Sequence, residues 1–559
     1  MHDETNDAGG RPLRIGVMLD ERTVPRWVDL ILRQLASRDF IDLSLVVLNA
    51  DEPAPHRTLF RRLWSGRGKL LFRLYEKLDA AVYSEPDDAF EPVRATVLDA
   101  VPTIEASPLA PKPWEHRFDE ETLARIRAAD LDVLLRFGFR IIRGDILGAA
   151  RFGVWSFHHG DNRSYRGGPS FFWEMYGGNP VTGTTLQILT EDLDAGRAIY
   201  RSYSATDPVS LRRGRNRPFL KSANFVVRRL HNLHSRGFAY IEALPSFNEP
   251  PVLDTPIYTT PTNGQMARFL ARTATAILRR RLWRMALREE WFVAYRQVVD
   301  PRGEPGAGPP FKRIEHPPKR SFADPFVISS GSRSFIFFED FDLASGKGAI
   351  SYVSLNGTGT TTAPATALER PYHLSYPFLF EHGGDHYMIP ETAATRRVEL
   401  YRATRFPDEW ELERVLLDDI EAVDATLFHR DGRYWLFANV AESGGPTVDE
   451  LFLFSADSLH GEWTPHPMNP VVSDVRRARP AGRLFERDGR LIRPSQDCSW
   501  RYGSAVVLNE VTALTADEYR EVQLGRIDPA WRKGNLASHT YNFDGRVEVV
   551  DGLAGRRRL

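Results

Sequence analysis

Polar side chains that could do acid–base chemistry follow an apolar run in the first third of the chain. The segment GVWSFHHGD (153–161) carries His158, His159 and Asp161 after its apolar residues. The run LDVLLRFGF (131–139) precedes it and predicts a strand. Open α/β sheets bind their ligands beyond the carboxyl ends of the strands. The two segments therefore predict a site at one edge of a sheet.

The elements that would position this site begin near the start of the chain. LRIGVML (13–19) predicts a buried strand, residues 24–35 have helix-spaced apolar side chains, and IDLSLVVLNA (41–50) predicts a second strand. This βαβ order predicts a Rossmann-like parallel sheet. No GxGxxG motif follows the first strand, so a dinucleotide site is not expected.

A helical and basic region follows. GQMARFLARTATAILRRRLWRMALR (264–288) contains seven arginines among apolar residues. Such a helix could make peripheral contact with an anionic membrane surface. The favoured interpretation is a connecting helix with a solvated basic face, because this spacing is ordinary in amphipathic helices. Residues 300–320 are rich in Pro and Gly and predict a linker.

The last 240 or so residues contain a weak internal repeat. Five segments share a small or polar opening, an apolar run, a turn and a second apolar run. Equivalent positions recur roughly every 50 to 60 residues, as in the blades of a β-propeller. They are Asp324, Tyr376, Asp424, Ala481 and His539. The repeat predicts five blades, and WFVAYRQ (291–297) could supply a strand that closes the ring.

Four acids of the repeat region are candidates for sugar binding. Innermost propeller strands point their first residues into the central channel, so Asp324 and Asp424 are predicted to face it. Glu391 and Asp497 end neighbouring strands and could complete a set. A pair of carboxyls could hydrolyse a glycosidic bond. Glycan binding or a structural role is favoured over hydrolysis, because Asp is also common at turns and strand starts.

Residues 153–200 resemble the catalytic core of formyltransferases that use 10-formyltetrahydrofolate, such as the glycinamide ribonucleotide and methionyl-tRNA enzymes. That family has Asn-x-His, Arg-Gly with a Pro, Thr-Gly-x-Thr and Asp-x-Gly in this order. The matching residues here are Ser156 and His158, Arg166, Gly167 and Pro169, Thr182, Gly183 and Thr185, and Asp194 and Gly196.

The formyltransferase resemblance implies a catalytic set of His158, Asp194 and Ser156. His158 would stabilise the oxyanion of a tetrahedral intermediate, and Asp194 would orient His158 and carry protons. Ser156 stands where the family has Asn, and loss of an oxyanion donor costs about 100- to 1000-fold in rate. The acceptor would contact His159, Asp161 and Arg166.

The same resemblance implies a folate site. Residues 134–147 are similar to the strand and turn that border the folate pocket of the family. The predicted contacts to 10-formyltetrahydrofolate are Arg136, Gly138, Phe139 and Arg140.

The repeat region, residues 321–552, resembles the propeller at the N-terminus of plant glucosamine inositolphosphorylceramide transferases. It is more distantly similar to five-bladed arabinanase and xylosidase-type glycosidases, which place three acids in the central channel. The pieces ADPF, YPFLFE, MIPET, DATLF and GRLIRPSQDCS carry this resemblance.

Composition limits the remaining possibilities. The net charge is -1, so no global field favours nucleic acid. The single cysteine, Cys498, fits a reducing compartment, and the cytoplasm is expected. No metal site is predicted. The domains expected are a formyltransferase-like domain (12–204), a helical basic connector (205–290) and a five-bladed propeller (291–555).

The leading hypothesis is formyl transfer from 10-formyltetrahydrofolate to a nucleotide- or lipid-linked amino sugar in surface-glycan biosynthesis. Two alternatives stay open. The propeller could itself act as a glycosidase or in glycosyl transfer beside a degenerate first domain, or the chain could be a glycan-binding scaffold without activity.

Overall fold

A computed structural model describes residues 10–50, 67–298, 308–356 and 359–557. The chain divides into two compact units. Unit 1 is Met1–Ile277 with Glu442–Gly445, and unit 2 is Leu278–Ala441 with Pro446–Leu559. The first part of the predicted linker 300–320 lies outside the described residues, and its remainder contains the short strand Lys312–Arg313.

Unit 1 is built on a seven-stranded mixed sheet. Its strands are β1 (Leu13–Leu19), β2 (Ile41–Asn49), β3 (Thr103–Ala106), β4 (Val133–Arg136), β5 (Val154–His158), β6 (Val181–Ile188) and β7 (Arg197–Ala205). The order across the sheet is β7-β6-β5-β4-β1-β2-β3. Strands β1 to β5 pair in parallel, as the βαβ pattern predicts, whereas β6 and β7 are antiparallel. The sheet is therefore mixed rather than wholly parallel.

Helices cover this sheet. They are α1 (Arg26–Ala36), α2 (Leu70–Val82), α3 (Glu120–Arg127), α4 (Phe172–Gly177), α5 (Leu211–Arg236), α6 (Phe238–Glu242) and α7 (Asn263–Ala286). Short strands occur at Thr23–Pro25, Pro92–Arg94, Leu109–Lys112, Glu115–Arg117, Ile141–Ile142, Arg166–Gly167 and Ile257–Tyr258. No described helix combines the length and the apolar character that crossing a bilayer requires.

The region predicted as a connector, 205–290, is divided differently by the structure. Helix α5 buries Phe219, Phe225 and Val226 in the same core as β1 and β4, so it is part of unit 1. The many arginines of α5 make this segment resemble a solvated connector in the sequence. Helix α7 is different, because Met266 and Phe269 are its buried residues.

In its described residues, unit 2 begins with the last turns of α7 and then contains five antiparallel sheets. Their strands are β8 (Leu287–Gln297), β9 (Lys312–Arg313), β10 (Arg320–Ser330), β11 (Arg333–Asp342), β12 (Lys347–Leu355), β13 (Ala365–Leu368), β14 (Ser375–His382), β15 (Asp385–Glu391), β16 (Val398–Arg405), β17 (Glu409–Leu417), β18 (Ala422–Arg430), β19 (Arg433–Val440), β20 (Glu450–Ala456), β21 (Thr464–Pro465), β22 (Val472–Ser473), β23 (Phe485–Arg487), β24 (Arg490–Asp497), β25 (Ala505–Leu514), β26 (Tyr519–Ile527), β27 (Asn535–Ala537), β28 (Tyr541–Phe543) and β29 (Val547–Arg557).

The sheets follow one another along the chain. The first four have the orders β10-β11-β12-β13, β14-β15-β16-β17, β18-β19-β20-β21 and β23-β24-β25-β26, with β22 beside β20. The fifth has the order β9-β8-β29-β27, with β28 beside β29. Strand β8 contains WFVAYRQ and pairs with β29 over its full length. The first strand of unit 2 thus joins its last sheet, as the sequence predicts.

The first strands of three sheets, β10, β14 and β18, share an unusual backbone conformation at equivalent positions of the repeat. Asp324, Tyr376 and Asp424 all have positive φ values, of 50°, 43° and 53°. Each lies within a break in the pairing register of its strand. A bulge of this kind re-aims a side chain, and a left-handed conformation is costly for a tyrosine. The deformation aims equivalent residues at a common centre, where Tyr376 Oη lies 2.9 Å from Thr426 Oγ1 of the next sheet.

Candidate functional sites

His158 and Asp194 meet at the end of β5 in unit 1. Asp194 lies in the loop between β6 and β7, and its Oδ1 is 3.3 Å from His158 Nδ1. The backbone N–H of Gly167 donates to Asp194 Oδ2 at 2.7 Å, which holds the carboxylate in place. The other ring nitrogen, Nε2, is 2.8 Å from the carbonyl oxygen of Tyr165. Protein acceptors therefore face both nitrogens of His158.

The electrostatics of this pair favour its charged form. Burial opposes the charge on His158, but the hydrogen bond and the charge of Asp194 outweigh it and raise the pKa of His158. Burial likewise opposes ionisation of Asp194, and His158 outweighs it and lowers the pKa of Asp194. With acceptors at both nitrogens, the imidazolium form of His158 fits the site best.

The turn predicted to border folate is hydrogen-bonded within the chain. Arg136 donates to the carbonyl oxygens of Phe139 at 2.9 Å and Arg140 at 2.5 Å. The backbone N–H of Phe139 donates to Asp20, and a Cβ at Gly138 would lie 2.3 Å from the backbone nitrogen of Asp20. Many of the turn's polar groups are therefore already used. Approach of a ligand would compete with these bonds.

Ser156 belongs to the same network. It is buried, and Arg136 Nη1 donates to its Oγ at 3.2 Å. The structure thus brings Ser156, Arg136 and the turn together. The serine hydroxyl is engaged with the predicted folate turn instead of lying free beside His158.

The three residues predicted to contact the acceptor each have partners within unit 1. The imidazole of His159 stacks on Phe219 at 3.6 Å between ring centroids and also contacts Trp27, and burial lowers its pKa well below the usual value. Asp161 pairs with Arg163 through both oxygens. Arg166 donates to the carbonyl oxygens of Leu193 and Leu253 and so ties two loops together. Each of the three side chains is therefore engaged within the unit, and their contact with an acceptor stays a prediction.

Sequence reasoning missed a buried acid near the pair and a cavity beside it. Glu174 in α4 is buried, and burial raises its pKa to about 7. A cavity of about 420 Å³ is lined by Asp194, Arg163, Arg197, Arg201 and residues 246–252. Asp194 is therefore the member of the pair that faces open space.

Unit 2 brings together three of its four predicted acids. Arg479 Nε lies 2.6 Å from Asp424 Oδ2, and its Nη2 lies 3.6 Å from Glu391 Oε2. Gln496 also donates to Asp424, at 3.0 Å. Asp324 is close enough for its charge to raise the pKa of Glu391. We call these residues, with Glu339, His539 and Asp551, the polar centre.

His539 lies between two carboxylates of the polar centre. Its Nε2 is 3.0 Å from Asp324 and its Nδ1 is 2.7 Å from Asp551. Asp551 also accepts the backbone N–H groups of His539, Thr540 and Asp324. Burial opposes the imidazolium charge, but the two carboxylates raise the pKa of His539 well above its ordinary value.

Asp324, His539 and Asp551 could also offer one ligand atom each to a cation, within 4.8 Å of one another. Both imidazole nitrogens already face carboxylates, however, and a metal ligand needs a free lone pair on nitrogen. This arrangement therefore fits a charged histidine better than a metal centre.

The acids of the polar centre differ in protonation. Burial and the charge of Asp424 raise the pKa of Glu391 to about 8. Burial and the charges of Asp324 and Glu391 raise the pKa of Glu339 well above its usual value. Burial opposes ionisation of Asp324, but His539 outweighs it and lowers the pKa of this carboxyl. The electrostatics therefore favour a protonated Glu391 within range of the charge of an ionised Asp324 near neutral pH.

Asp497 is placed apart from this group. Its oxygens pair with Arg526 at 2.6 Å and Ser499 at 2.6 Å. The neighbouring thiol of Cys498 is buried, and burial raises its pKa to about 12. The sequence predicts that Asp497 completes the set of acids, but its carboxylate points toward Arg526 of β26 instead.

A signal for the missed residues is present in the repeat. The residue before each bulged position pairs across the hairpin with an acid or amide: Ala323 with Glu339, Ser375 with Glu391, and Val423 with Asn439. In the last two repeats, Gln496 is the penultimate residue of β24 and Asp551 lies within β29. Aligning second strands as well as first strands would have found Glu339 and Asp551.

Aromatic rings border the polar centre. Tyr502 is 42% exposed, and its ring lies 4.9 Å from the guanidinium of Arg479 and 5.2 Å from the ring of His539. Trp500 on the same loop is 69% exposed. The exposed ring of Tyr502 beside the carboxyls is suited to a sugar ring, which has apolar C–H faces and polar edges.

Comparison with known proteins bears on unit 2. Residues 313–542 match the family described as glucosamine inositolphosphorylceramide transferase 1, N-terminal. The protein of that name from Oryza sativa subsp. japonica is 40% identical over 249 residues, 42% of this chain and 33% of its own. The Arabidopsis thaliana protein is 36% identical over 221 residues, 39% and 29% of the two chains. The chain spans about a third of these curated relatives, and the match confirms the resemblance predicted for the repeats.

Two solved structures are distantly similar. Glycinamide ribonucleotide transformylase 1 from Symbiobacterium toebii is 17% identical, with 42% of this chain and 92% of that chain covered and a TM-score of 0.28. Zg3597, a family 117 glycoside hydrolase from Zobellia galactanivorans, is 12% identical, with 47% and 90% covered and a TM-score of 0.32. TM-scores this low carry no argument, so the formyltransferase resemblance of unit 1 stays a prediction.

Proposed function

We propose that this protein is a glycan-modifying transferase whose unit 2 binds a sugar at the polar centre. The five sheets would form a five-bladed propeller, with the polar centre in its channel. The observation that carries the proposal is the grouping of Glu391, with a pKa of about 8, and ionised Asp324 beside exposed aromatic rings. The names of the plant relatives point to glucosamine transfer in sphingolipid glycosylation.

The polar centre has the groups that such a reaction needs. Glu391 holds a proton at neutral pH and could donate it to the oxygen of a leaving group. Asp324, held ionised by His539, could accept the proton of an attacking hydroxyl. Asp424 is paired with Arg479 and Gln496, so its role would be to keep Arg479 in position beside Glu391.

The test measures sugar binding and transfer in the same variants. Glucosamine and nucleotide-linked glucosamine are titrated by calorimetry, and transfer to inositolphosphorylceramide in vesicles is followed by mass spectrometry. Asp324→Asn and Glu391→Gln are each expected to lower transfer at least about 100-fold. Asp497→Asn is the matched control, since this acid lies outside the polar centre. Equal activity of all three variants would exclude the polar centre as the reacting site.

Formyl transfer in unit 1 remains a second proposed function because one observation favours it. His158 and Asp194 lie 3.3 Å apart, and Asp194 lines the cavity of about 420 Å³. An imidazolium that donates to an oxyanion from Nε2 would have to exchange its bond to the Tyr165 carbonyl for one to substrate. An amino sugar would be the acceptor and 10-formyltetrahydrofolate the donor.

This second function has its own experiment. Binding of 10-formyltetrahydrofolate is measured by calorimetry, and formylation of glucosamine and nucleotide-linked amino sugars by mass spectrometry. Loss with His158→Asn, but not with the exposed His231→Asn, would support formyl transfer. Absence of folate binding by the unaltered chain would remove it.

A further inference from the structure

Helix α7 (Asn263–Ala286) exposes apolar side chains along most of its length. Met266 and Phe269 are buried. Beyond them Leu278 and Leu282 are each 56% exposed and Met285 is 66% exposed. Further exposed members are Leu270, Ile277 and Trp283. A soluble surface rarely carries so many large apolar groups without a partner.

The charge of this helix has one sign. Residues 263–286 contain six arginines and no Asp or Glu. Three of the arginines are consecutive, at 279 to 281, among the exposed apolar residues, and each is exposed. A partner of this surface must therefore accept apolar side chains and positive charge together.

Helix α2 (Leu70–Val82) presents a second strip of the same kind. Leu74, Leu78 and Val82 are 53%, 57% and 69% exposed and recur every fourth residue, on one face of the helix. Arg73 and Lys77 are exposed beside them. The acids of α2 do not share this strip, since Asp79 is buried and Glu76 pairs with Arg215.

Helix α2 contacts the first turns of α7 within unit 1, and α7 continues past Ile277 into unit 2. The backbone N–H of Leu71 donates to Asn263 Oδ1 at 3.1 Å, and the rings of Tyr75 and Phe269 are 5.6 Å apart. Both contacts advance in the same direction along the two helices, so α2 runs parallel to the first turns of α7. The outer face of α2 therefore lies beside the part of α7 that belongs to unit 1.

We propose that α7 forms a docking surface for a bilayer containing anionic lipids, and that the outer face of α2 adds to the part of this surface that lies in unit 1. Leucine, tryptophan and methionine enter the boundary between headgroups and acyl chains, and the arginines pair with anionic headgroups. A second copy fits poorly, because self-pairing would bring arginine against arginine. Nucleic acid would use the arginines and leave the apolar strips uncovered. This inference does not depend on the sugar chemistry of unit 2.

The experiment uses the full chain and sedimentation with vesicles. Binding is expected to vesicles of phosphatidylcholine with phosphatidylserine, to be much weaker with phosphatidylcholine alone, and to fall in high salt. Three variants test the surface: Leu278→Ser with Leu282→Ser, Leu74→Ser with Leu78→Ser, and Arg279→Gln with Arg280→Gln and Arg281→Gln. The arginine variant should lower partitioning at least about tenfold. The two leucine variants should lower it severalfold even at low salt.

Matched controls come from exposed residues of unit 2. Val522→Ser with Leu524→Ser removes two exposed apolar side chains of β26, and Arg333→Gln with Arg430→Gln and Arg490→Gln removes three exposed charges. These controls should bind vesicles like the unaltered chain. The proposal is overturned if anionic vesicles do not bind, if controls and surface variants behave alike, or if light scattering shows a dimer that the leucine variants abolish. Binding to RNA that the leucine variants leave intact, without vesicle binding, would equally overturn it.

Discussion

The two units each bury a histidine against an aspartate, and the surroundings give the two pairs different properties. His158 of unit 1 has one carboxylate at Nδ1 and a backbone carbonyl at Nε2. His539 of unit 2 lies between two carboxylates, and Glu339 and Glu391 add two more acids nearby. The first pair has its charge balanced by one partner, whereas the second belongs to a network with more carboxyls than cations.

The different surroundings determine which of the two sites holds a proton that can be exchanged. In unit 1 the ion pair raises the pKa of His158 and lowers the pKa of Asp194, so both partners stay charged. In unit 2 the surplus of carboxyls cannot all ionise in a buried space, so protons remain on Glu391 and Glu339. Repeated strands supply this surplus, because four of the five described sheets add an acid to the same centre, whereas the sheet of β24 adds Gln496.

Removing the cation of the polar centre should produce the largest effect. Arg479→Met leaves the buried carboxyls of Asp424 and Glu391 without their partner, and loss of one member of a buried pair costs about 3–5 kcal/mol. Unfolding in urea, followed by hydrogen exchange of each unit, should show this loss in unit 2. The matched change in unit 1 is Arg163→Met. The Arg163 side chain is 41% exposed beside Asp161, so its loss should lower the free energy of unfolding by less than about 1 kcal/mol. Equal losses would contradict the contrast between the units.

The surplus acid should make unit 2 sensitive to pH. Glu391 has a pKa of about 8 in the folded chain and an ordinary value near 4.5. The folded state therefore binds this proton more tightly, and its contribution to stability is complete below pH 4.5 and lost as pH rises toward 8. Glu391→Gln removes that loss and should stabilise unit 2 at pH 9 by on the order of 2 kcal/mol, with little effect at pH 4.5. The half-exposed Glu381→Gln is the control, and a Glu391→Gln effect independent of pH would contradict the assignment.

In the acidic pH range the stability of unit 1 should change in the opposite sense to that of unit 2 and fall as the pH falls. The pKa of Asp194 is lowered, so its contribution is present above its ordinary value and lost as pH falls through the folded value. The pKa of His158 is raised, so its contribution is present below about 6.5 and lost as pH rises through the folded value. Asp194→Asn should therefore cost about 1–3 kcal/mol near pH 5.5 and less at pH 9. Asp192→Asn, an exposed neighbour, serves as control in the same urea series.

Patterns carried by several residues could be predicted from the sequence. The strand Leu13–Leu19 and the presence of a strand at WFVAYRQ follow from apolar runs and the repeat. So does the meeting of Asp324 and Asp424 at one centre, because equivalent positions of a repeat are equivalent in space. Antiparallel β6 and β7 could not be deduced, since strand direction depends on the connections and not on the apolar pattern.

The side-chain partners that come from distant parts of the chain could not be predicted from the sequence either. Asp497 has the residue type and the strand-end position of a site acid, yet Arg526 turns it away. Arg479 lies between two recognisable motifs and pairs with Asp424, 55 residues away. His159 adjoins a site histidine, but the aromatic rings that enclose it come from α1 and α5. Which neighbour binds a charged side chain is decided by tertiary packing.

The smallest effect we expect is at His159, where the two histidines of unit 1 can be compared directly. His159 is uncharged in its aromatic surroundings and makes one long polar contact, 3.5 Å to Ser222 Oγ. His159→Phe keeps a planar ring against Phe219 and should change stability by less than about 1 kcal/mol. His158→Phe, in contrast, leaves Asp194 buried without its cation and should cost several times more. Denaturant unfolding at pH 6 measures both, and a larger loss at His159 would mean that its ring carries a charge after all.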